Sequence, residues 1–195
     1  ETDFVAKNEN FINFTKQILK TALENMPADL NSLLALKLDG RSIADQIAEQ
    51  TGIIGEKLEL SFYGKLEAED AIAYIHPGNK LATIVGFNKP ADMQVKKDVA
   101  MQVAAMDPIS IDKNDVPESV IAHELEIGKE KAREEGKPEN MLEKIAQGRL
   151  NKFFQESTLM NQAFIKEAKQ TVKAYIQSND KDLTVTGFVR YTLND

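Results

Sequence analysis

Gly136-Lys137-Pro138 constrains this chain more than any other short segment, because it stops one helix and starts another within three residues. Gly adopts the left-handed conformation that ends a helix, and Pro has the φ that a first helical turn needs while lacking an N–H that such a turn leaves unpaired. Upstream, Asp115-Val116-Pro117-Glu118 is a helix start. Glu124, Glu126, Lys129, Glu130, Lys131, Arg133, Glu134 and Glu135 follow it as charges of alternating sign. Ile121, Leu125 and Ala132 give this arm a thin apolar stripe. Met141, Leu142, Ile145, Ala146, Leu150 and Phe153 give the arm beyond Pro138 a fuller one. Residues 113–156 therefore predict an inserted antiparallel helical hairpin, read either as a coiled-coil arm that projects from a body or as an ordinary surface pair of helices.

Around the hairpin the apolar period changes along the chain. Asn8 is a candidate N-cap, and Phe11, Phe14, Ile18, Leu19 and Ala22 mark a helix over about 9–25. Leu33 to Leu38 form an apolar run closed by the Asp39-Gly40 turn. Ser42 then caps a helix carrying Ile43 and Ile47, with Gly52 as its expected stop. From Lys57 the period becomes two: Leu58, Leu60 and Phe62 alternate with polar residues, which predicts a half-buried strand. Two more strands, Ile72 to Ile75 and Lys80 to Phe87, flank the turn formers His76-Pro77-Gly78-Asn79, and the short connections make the three antiparallel. Asp92 opens a helix with Val95, Val99 and Val103 on its buried side, ending before Asp107-Pro108. After the hairpin, Leu159 to Phe164 is expected to be irregular. Val172, Tyr175 and Ile176 mark a helix ended by Ser178-Asn179-Asp180, and Leu183 to Leu193 a closing strand. Together these predict the α+β class, with antiparallel sheets packed against helices. The expected division is a first core subdomain at 1–70, a second from 71–112 and 157–195, and the hairpin at 113–156.

Several kinds of chemistry are excluded. There is no Cys, so disulfides, thiolate metal sites and cysteine nucleophiles do not arise. A net charge of −7 argues against binding phosphate backbones, so no nucleic-acid partner is expected. No apolar run approaches the length of a membrane span and nothing resembles a secretory signal, so no membrane partner and a cytoplasmic location are expected. The start at Glu1, without Met, is read as a processed or trimmed chain with a domain expected ahead of it. The two histidines, His76 in a turn and His123 in the charged helix, have no ligand spacing around them, so no metal or cofactor is expected. Gly-x-Ser-x-Gly is absent, and Gly52 and Gly55 lack the spacing and the Lys-Ser/Thr of a phosphate loop. A hydrolase built on His76 would have no accompanying base or metal ligands. The chain is therefore not expected to be an enzyme.

At the start of the chain, Asp3 and Phe4 stand side by side ahead of the first long helix. Being adjacent, they cannot both face one core. The pair is read either as an apolar residue packed near a helix start beside a solvated acid, or as a ring for a partner's crevice with a carboxylate for its rim.

The segment Thr2-Asp3-Phe4-Val5-Ala6-Lys7-Asn8 resembles the signature of bacterial elongation factor Ts, the family of nucleotide exchange factors for elongation factor Tu. The similarity runs through nearly the whole chain. Tyr74-Ile75-His76-Pro77-Gly78-Asn79-Lys80-Leu81-Ala82-Thr83-Ile84-Val85 is similar to the family's Tyr-x-His-x-Gly-Gly-Lys-Ile-Gly-Val-Leu-Val, and Met101 to Pro108 to its His-Val-Ala-Ala-x-x-Pro stretch. Gly136-Lys137-Pro138, Gly148-Arg149-Leu150, Leu159 to Phe164 and Val185 to Tyr191 resemble four later segments. Asn79 and Ala82 stand where the family has Gly, and Ala163 where Pro is common.

This resemblance implies a guanine nucleotide exchange factor that acts in translation elongation, with two similar core subdomains. It implies that Thr2, Asp3, Phe4 and Val5 meet the nucleotide domain of elongation factor Tu, Asp3-Phe4 intruding near the Mg²⁺ and nucleotide site. Ile54 and Gly55 would contact the same domain, and His76 a β-barrel domain. The hairpin would be an interaction arm, serving a homodimer or a heterotetramer. The family's N-terminal helical domain, which also docks on the GTPase, lies outside these residues and leaves room for a lower affinity. The rival reading is a structural adaptor that recruits some other protein through the charged hairpin.

Overall fold

The Asn8 side chain accepts hydrogen bonds from the backbone N–H groups of Asn10 (2.9 Å) and Phe11 (3.3 Å), and the first long helix starts there. A cap of this kind stabilises a helix by about 1 kcal/mol. The computed structural model describes residues 3–193, with the backbone alone at Asp3 and Phe4. The chain divides into two compact units, residues 1–65 and 66–195.

In the first unit the order is α1 (Asp3–Ala6), α2 (Glu9–Asn25), α3 (Leu30–Ala35), β1 (Lys37–Leu38), β2 (Arg41–Ser42) and α4 (Ile43–Ile54). Asp39-Gly40 turns β1 back onto β2, both residues at positive φ. The Ser42 hydroxyl accepts from Asp45 N–H at 3.0 Å and donates to the Asp45 carboxylate at 2.6 Å, which starts α4. Ile18, Ala22, Leu33 and Ile43 form the buried centre, with Phe14, Ile47, Leu60 and Tyr63 against it. The Tyr63 hydroxyl donates to the Pro27 carbonyl at 3.0 Å.

Two expectations for this unit change. Helix α4 passes through Gly52 and ends at Gly55, whose φ of 78° closes it. Both glycines suit a stop, and only Gly55 takes the left-handed backbone. Residues 57–62 are not a strand. Their alternation is real, with Leu58 and Leu60 half-buried between exposed neighbours. Leu60, however, packs on the helical cluster, and among the described residues no strand pairs with the segment.

The second unit runs β3 (Asp70–Ile75), β4 (Leu81–Phe87), α5 (Met93–Met106), α6 (Glu118–Glu134), α7 (Leu142–Ser157), β5 (Ala163–Phe164), β6 (Glu167–Thr171), α8 (Val172–Asn179) and β7 (Val185–Thr192). The main sheet is antiparallel in the order β3-β4-β7, so its third strand is the C-terminal one. Helix α5 covers one face, burying Val95, Val99 and Val103 with Val85 and Phe87. There the Thr83 hydroxyl donates to the Ala100 carbonyl at 3.1 Å. On the other face Leu66 lies so close to Gly187 that a Cβ there would sit 2.5 Å from its Cδ1. The fold is thus α+β with antiparallel sheets.

Helices α6 and α7 pair around Gly136, at φ 72°. Gly128 brings them together, since a Cβ on it would lie 3.1 Å from Ala146 Cα. Leu142, Ala146 and Leu150 are buried along α7, and Lys129 to Glu143 (2.8 Å) and Arg149 to Glu135 (2.6 Å) bridge the two arms. Met141, expected on the α7 stripe, is 44% exposed because it ends the 3₁₀ turn Glu139–Met141 ahead of that helix.

The segment 159–164 is more regular than expected, a 3₁₀ turn at Leu159–Asn161 followed by β5, which pairs with β6. Glu167–Thr171 has no apolar alternation to announce a strand. What holds this hairpin is a polar pair, Gln102 and Gln162, both 0% exposed. Gln102 donates to Gln162 Oε1 (3.2 Å) and the Ala163 carbonyl (3.1 Å), and accepts from Ile165 N–H (2.8 Å). Gln162 donates to the Glu156 carbonyl (2.9 Å) and the Met106 carbonyl (3.3 Å).

Asp98 on α5 is the second tie. Its carboxylate accepts from Lys166 (2.6 Å), Gln94 (2.7 Å) and the Tyr175 hydroxyl (2.8 Å), and Tyr175 stacks on Phe164 with ring centroids 4.1 Å apart. Burial pushes the Asp98 carboxyl up, but hydrogen bonds from Lys166, Tyr175 and Gln94 outweigh it and hold the group below the usual carboxylate range. Burial and the same carboxylate push the Tyr175 phenol up. A carboxyl whose folded pKa is depressed stabilises the fold above its unfolded value, about 4, and that contribution is lost as pH falls through the folded value. Denaturant titrations between about pH 5 and pH 2 are therefore expected to show a shallower loss of stability in Asp98→Asn than in the unaltered chain. Identical slopes would remove Asp98 from the acid response.

Candidate functional site

Val5 is buried in α1, one position after the Asp3-Phe4 pair, and Asn8 N–H donates to its carbonyl at 3.0 Å. The short helix is thereby fixed to the cap that begins α2. At the other end of α4, the Gly55 N–H donates to the Thr51 carbonyl at 2.9 Å, and the left-handed turn at Gly55 points the chain away. These two places meet. A shallow cavity of about 220 Å³ is lined by Val5, Asn8, Ile53, Ile54 and Glu56. Thus the first unit brings together Val5 and Ile54, with Gly55 between two of the lining residues.

Of the remaining expected contact residues in this unit, Thr2 lies outside the described residues. Asp3 and Phe4 belong to α1 by their backbone. Ile53 was not anticipated. It is 69% exposed beside a half-buried Ile54. The sequence signal was the Ile53-Ile54 doublet ahead of Gly55: two successive residues on a helix face different directions, so one of two must leave the core.

His76 is carried by the second unit. It follows β3, its N–H donating to the Leu81 carbonyl at 2.8 Å and its carbonyl accepting from Asn79 N–H at 3.0 Å. Pro77 and Gly78 occupy the centre of that turn, and Gly78, at φ 96°, has the backbone that the third position of a type II turn demands. Asn79, which stands where Gly would be easier, takes φ 59°, a conformation Asn tolerates. The imidazole is exposed, and its Nδ1 lies 2.9 Å from the Tyr74 hydroxyl. The two rings meet edge to face at 6.0 Å. Tyr74 was not anticipated as a partner, although residues two apart along a strand share a face.

Among the described residues, no group of three or more His, Cys, Asp or Glu side chains is arranged to hold a metal ion. Among them, too, no helix is long and apolar enough to cross a membrane. His123 is an exposed residue of α6. The first unit thus offers a cavity lined by apolar and polar side chains, and the second an exposed imidazole on a turn.

The family model described as elongation factor TS matches residues 1–195 of the chain. Elongation factor Ts of Porphyromonas gingivalis is 50% identical to it over 195 residues, covering 100% of this chain and 71% of that protein. That of Christiangramia forsetii is 44% identical over 195 residues, with coverage of 99% and 70%. For Chloroherpeton thalassium the figures are 41% over 208 residues, 100% and 72%.

Proposed function

Because the chain belongs to the elongation factor Ts family, we propose that it is a guanine nucleotide exchange factor, acting in the cytoplasm on elongation factor Tu during translation elongation. The observation that carries the reading within the molecule is the meeting of Val5, Ile53 and Ile54 around one cavity. It gathers two segments, the opening motif and the turn at Gly55, which the family resemblance assigns to one partner domain.

Exchange makes and breaks no covalent bond. A factor that binds the GTPase more tightly when nucleotide and Mg²⁺ are gone must, by linkage, weaken the nucleotide by the same factor. What this requires of the chain is a firm mount and a wedge. Val5 and the Asn8 cap form the mount, and Thr2, Asp3 and Phe4, immediately ahead of it, act at the nucleotide site. Phe4 enters between elements of the nucleotide domain and Asp3 meets the polar rim near Mg²⁺. Ile54 and Gly55 rest on the same domain, and His76 reaches a second domain of the GTPase.

The hairpin at 113–156 serves as an interaction arm, through which two copies, or two factor–GTPase pairs, associate. The subdomain division at 1–70 and at 71–112 with 157–195 belongs to the same reading.

The test is release of a fluorescent GDP analogue from elongation factor Tu, followed with and without the chain at micromolar concentration. Acceleration that saturates with added chain is expected. A release rate that stays at its spontaneous value across the titration would overturn the proposal.

A further inference from the structure

Two rings on one strand end in different situations. Tyr74, at register opposite Thr83, is half-buried and packs against the main core cluster of the second unit. His76, two residues on, is exposed. His76 directly follows β3, and the Tyr74 hydroxyl meets His76 Nδ1 at 2.9 Å. A ring anchored in a core therefore holds a ring in solvent.

We infer that Tyr74 is a positioning residue for the docking contact of His76: it fixes the imidazole's orientation and leaves Nε2–H as an outward donor for an acceptor on the partner, a main-chain carbonyl or a carboxylate. The inference rests on the docking role given to His76 above.

The chemistry follows from donor and acceptor strengths. A neutral imidazole has one donor and one acceptor nitrogen, and the bond made by one nitrogen decides the role of the other. A phenol is the better donor of this pair and an imidazole nitrogen the better acceptor, so Tyr74 donates to Nδ1 and the proton resides on Nε2. The backbone restricts the ring as well, since His76 is tied through its N–H to Leu81 and through its carbonyl to Asn79. An exposed side chain already held in one orientation loses less rotamer freedom when a partner binds. Tyr74 thus contributes to binding without touching the partner.

Two measurements test this on the full chain. The first uses ¹⁵N-labelled His76 in the free protein. The unaltered chain is expected to show Nδ1 as a hydrogen-bonded acceptor and Nε2 protonated, and Tyr74→Phe a rotamer-averaged ring with a larger share of the other tautomer. An unchanged ring spectrum in Tyr74→Phe overturns the lock. The second is affinity for nucleotide-free elongation factor Tu in a double-mutant cycle. Tyr74→Phe is expected to weaken binding several-fold in the presence of His76 and to have no effect in a His76→Ala background. Equal effects in both backgrounds would mean that Tyr74 acts through the sheet and not through His76, and would overturn the inference. If His76→Ala leaves affinity unchanged, the docking role of His76 fails, and the nuclear magnetic resonance result separates that failure from a failure of the lock.

Discussion

Phe4→Ala is expected to slow factor-dependent GDP release from elongation factor Tu by at least about tenfold while leaving the thermal midpoint of the chain where it was. Truncating an aromatic anchor at the centre of an interface costs roughly 2 kcal/mol or more, and each 1.4 kcal/mol is a factor of about ten. In the proposed mechanism the wedge contact is made while nucleotide is still bound and lowers the barrier to its release, so its loss slows release at limiting factor concentration. The buried centre of the first unit is Ile18, Ala22, Leu33 and Ile43, and Val5 of α1 is buried as well. Stopped-flow release with matched concentrations of the two chains makes the comparison, and circular dichroism supplies the control. A rate unaffected by Phe4→Ala removes the wedge and leaves Ile53, Ile54 and His76 to account for docking.

The other large effect falls on stability. Gln102→Leu removes two donated bonds and one accepted bond from a fully enclosed site, leaving the Ala163 carbonyl, the Ile165 N–H and Gln162 Oε1 to find other partners. Each buried polar group left unpaired costs about 1–3 kcal/mol, and the contributions do not add in full because the β5–β6 hairpin can shift. A loss of about 3 kcal/mol is expected, which lowers the midpoint by about 10 °C in a chain of this size. Differential scanning calorimetry reads the midpoint, and amide exchange at Ile165 localises the damage. A midpoint within a degree of the unaltered chain would show that the glutamine pair does not hold the hairpin. Leucine fills nearly the same volume, so a cavity is not the competing explanation.

The sequence exposes best what local chemistry decides. Asn8, Ser42 and Asp92 cap the helices they announce, and Gly136 turns the hairpin where its φ allows. What it hides depends on partners far along the chain. Leu58 and Leu60 alternate as a strand does, yet whether a strand forms depends on a neighbour, and the place beside β4 is taken by residues 185–192. Glu167–Thr171 is a strand without apolar pattern, because its place is set by polar bonds from α5 to the turn ahead of it. The proposed docking residues divide the same way. Val5, Ile54, Gly55 and His76 could be singled out by resemblance, but Ile53 emerges only when the end of α4 is known, and Tyr74 only when its hydroxyl is seen against the imidazole.

The two cores are unequal, and the smaller one bears the proposed wedge. Segments that bury little apolar surface open at a lower free energy than the rest of a protein. When only a fraction of molecules is docking-competent at a given instant, the apparent dissociation constant rises by the inverse of that fraction. In the proposed exchange reading, the stability of the cluster around Ile18, Ala22, Leu33 and Ile43 sets the fraction of molecules competent to dock. In that reading, a larger apolar side chain filling the groove lined by Phe11, Phe14, Ile47 and Leu58 is expected to raise affinity by steadying the mount, away from the residues proposed to dock.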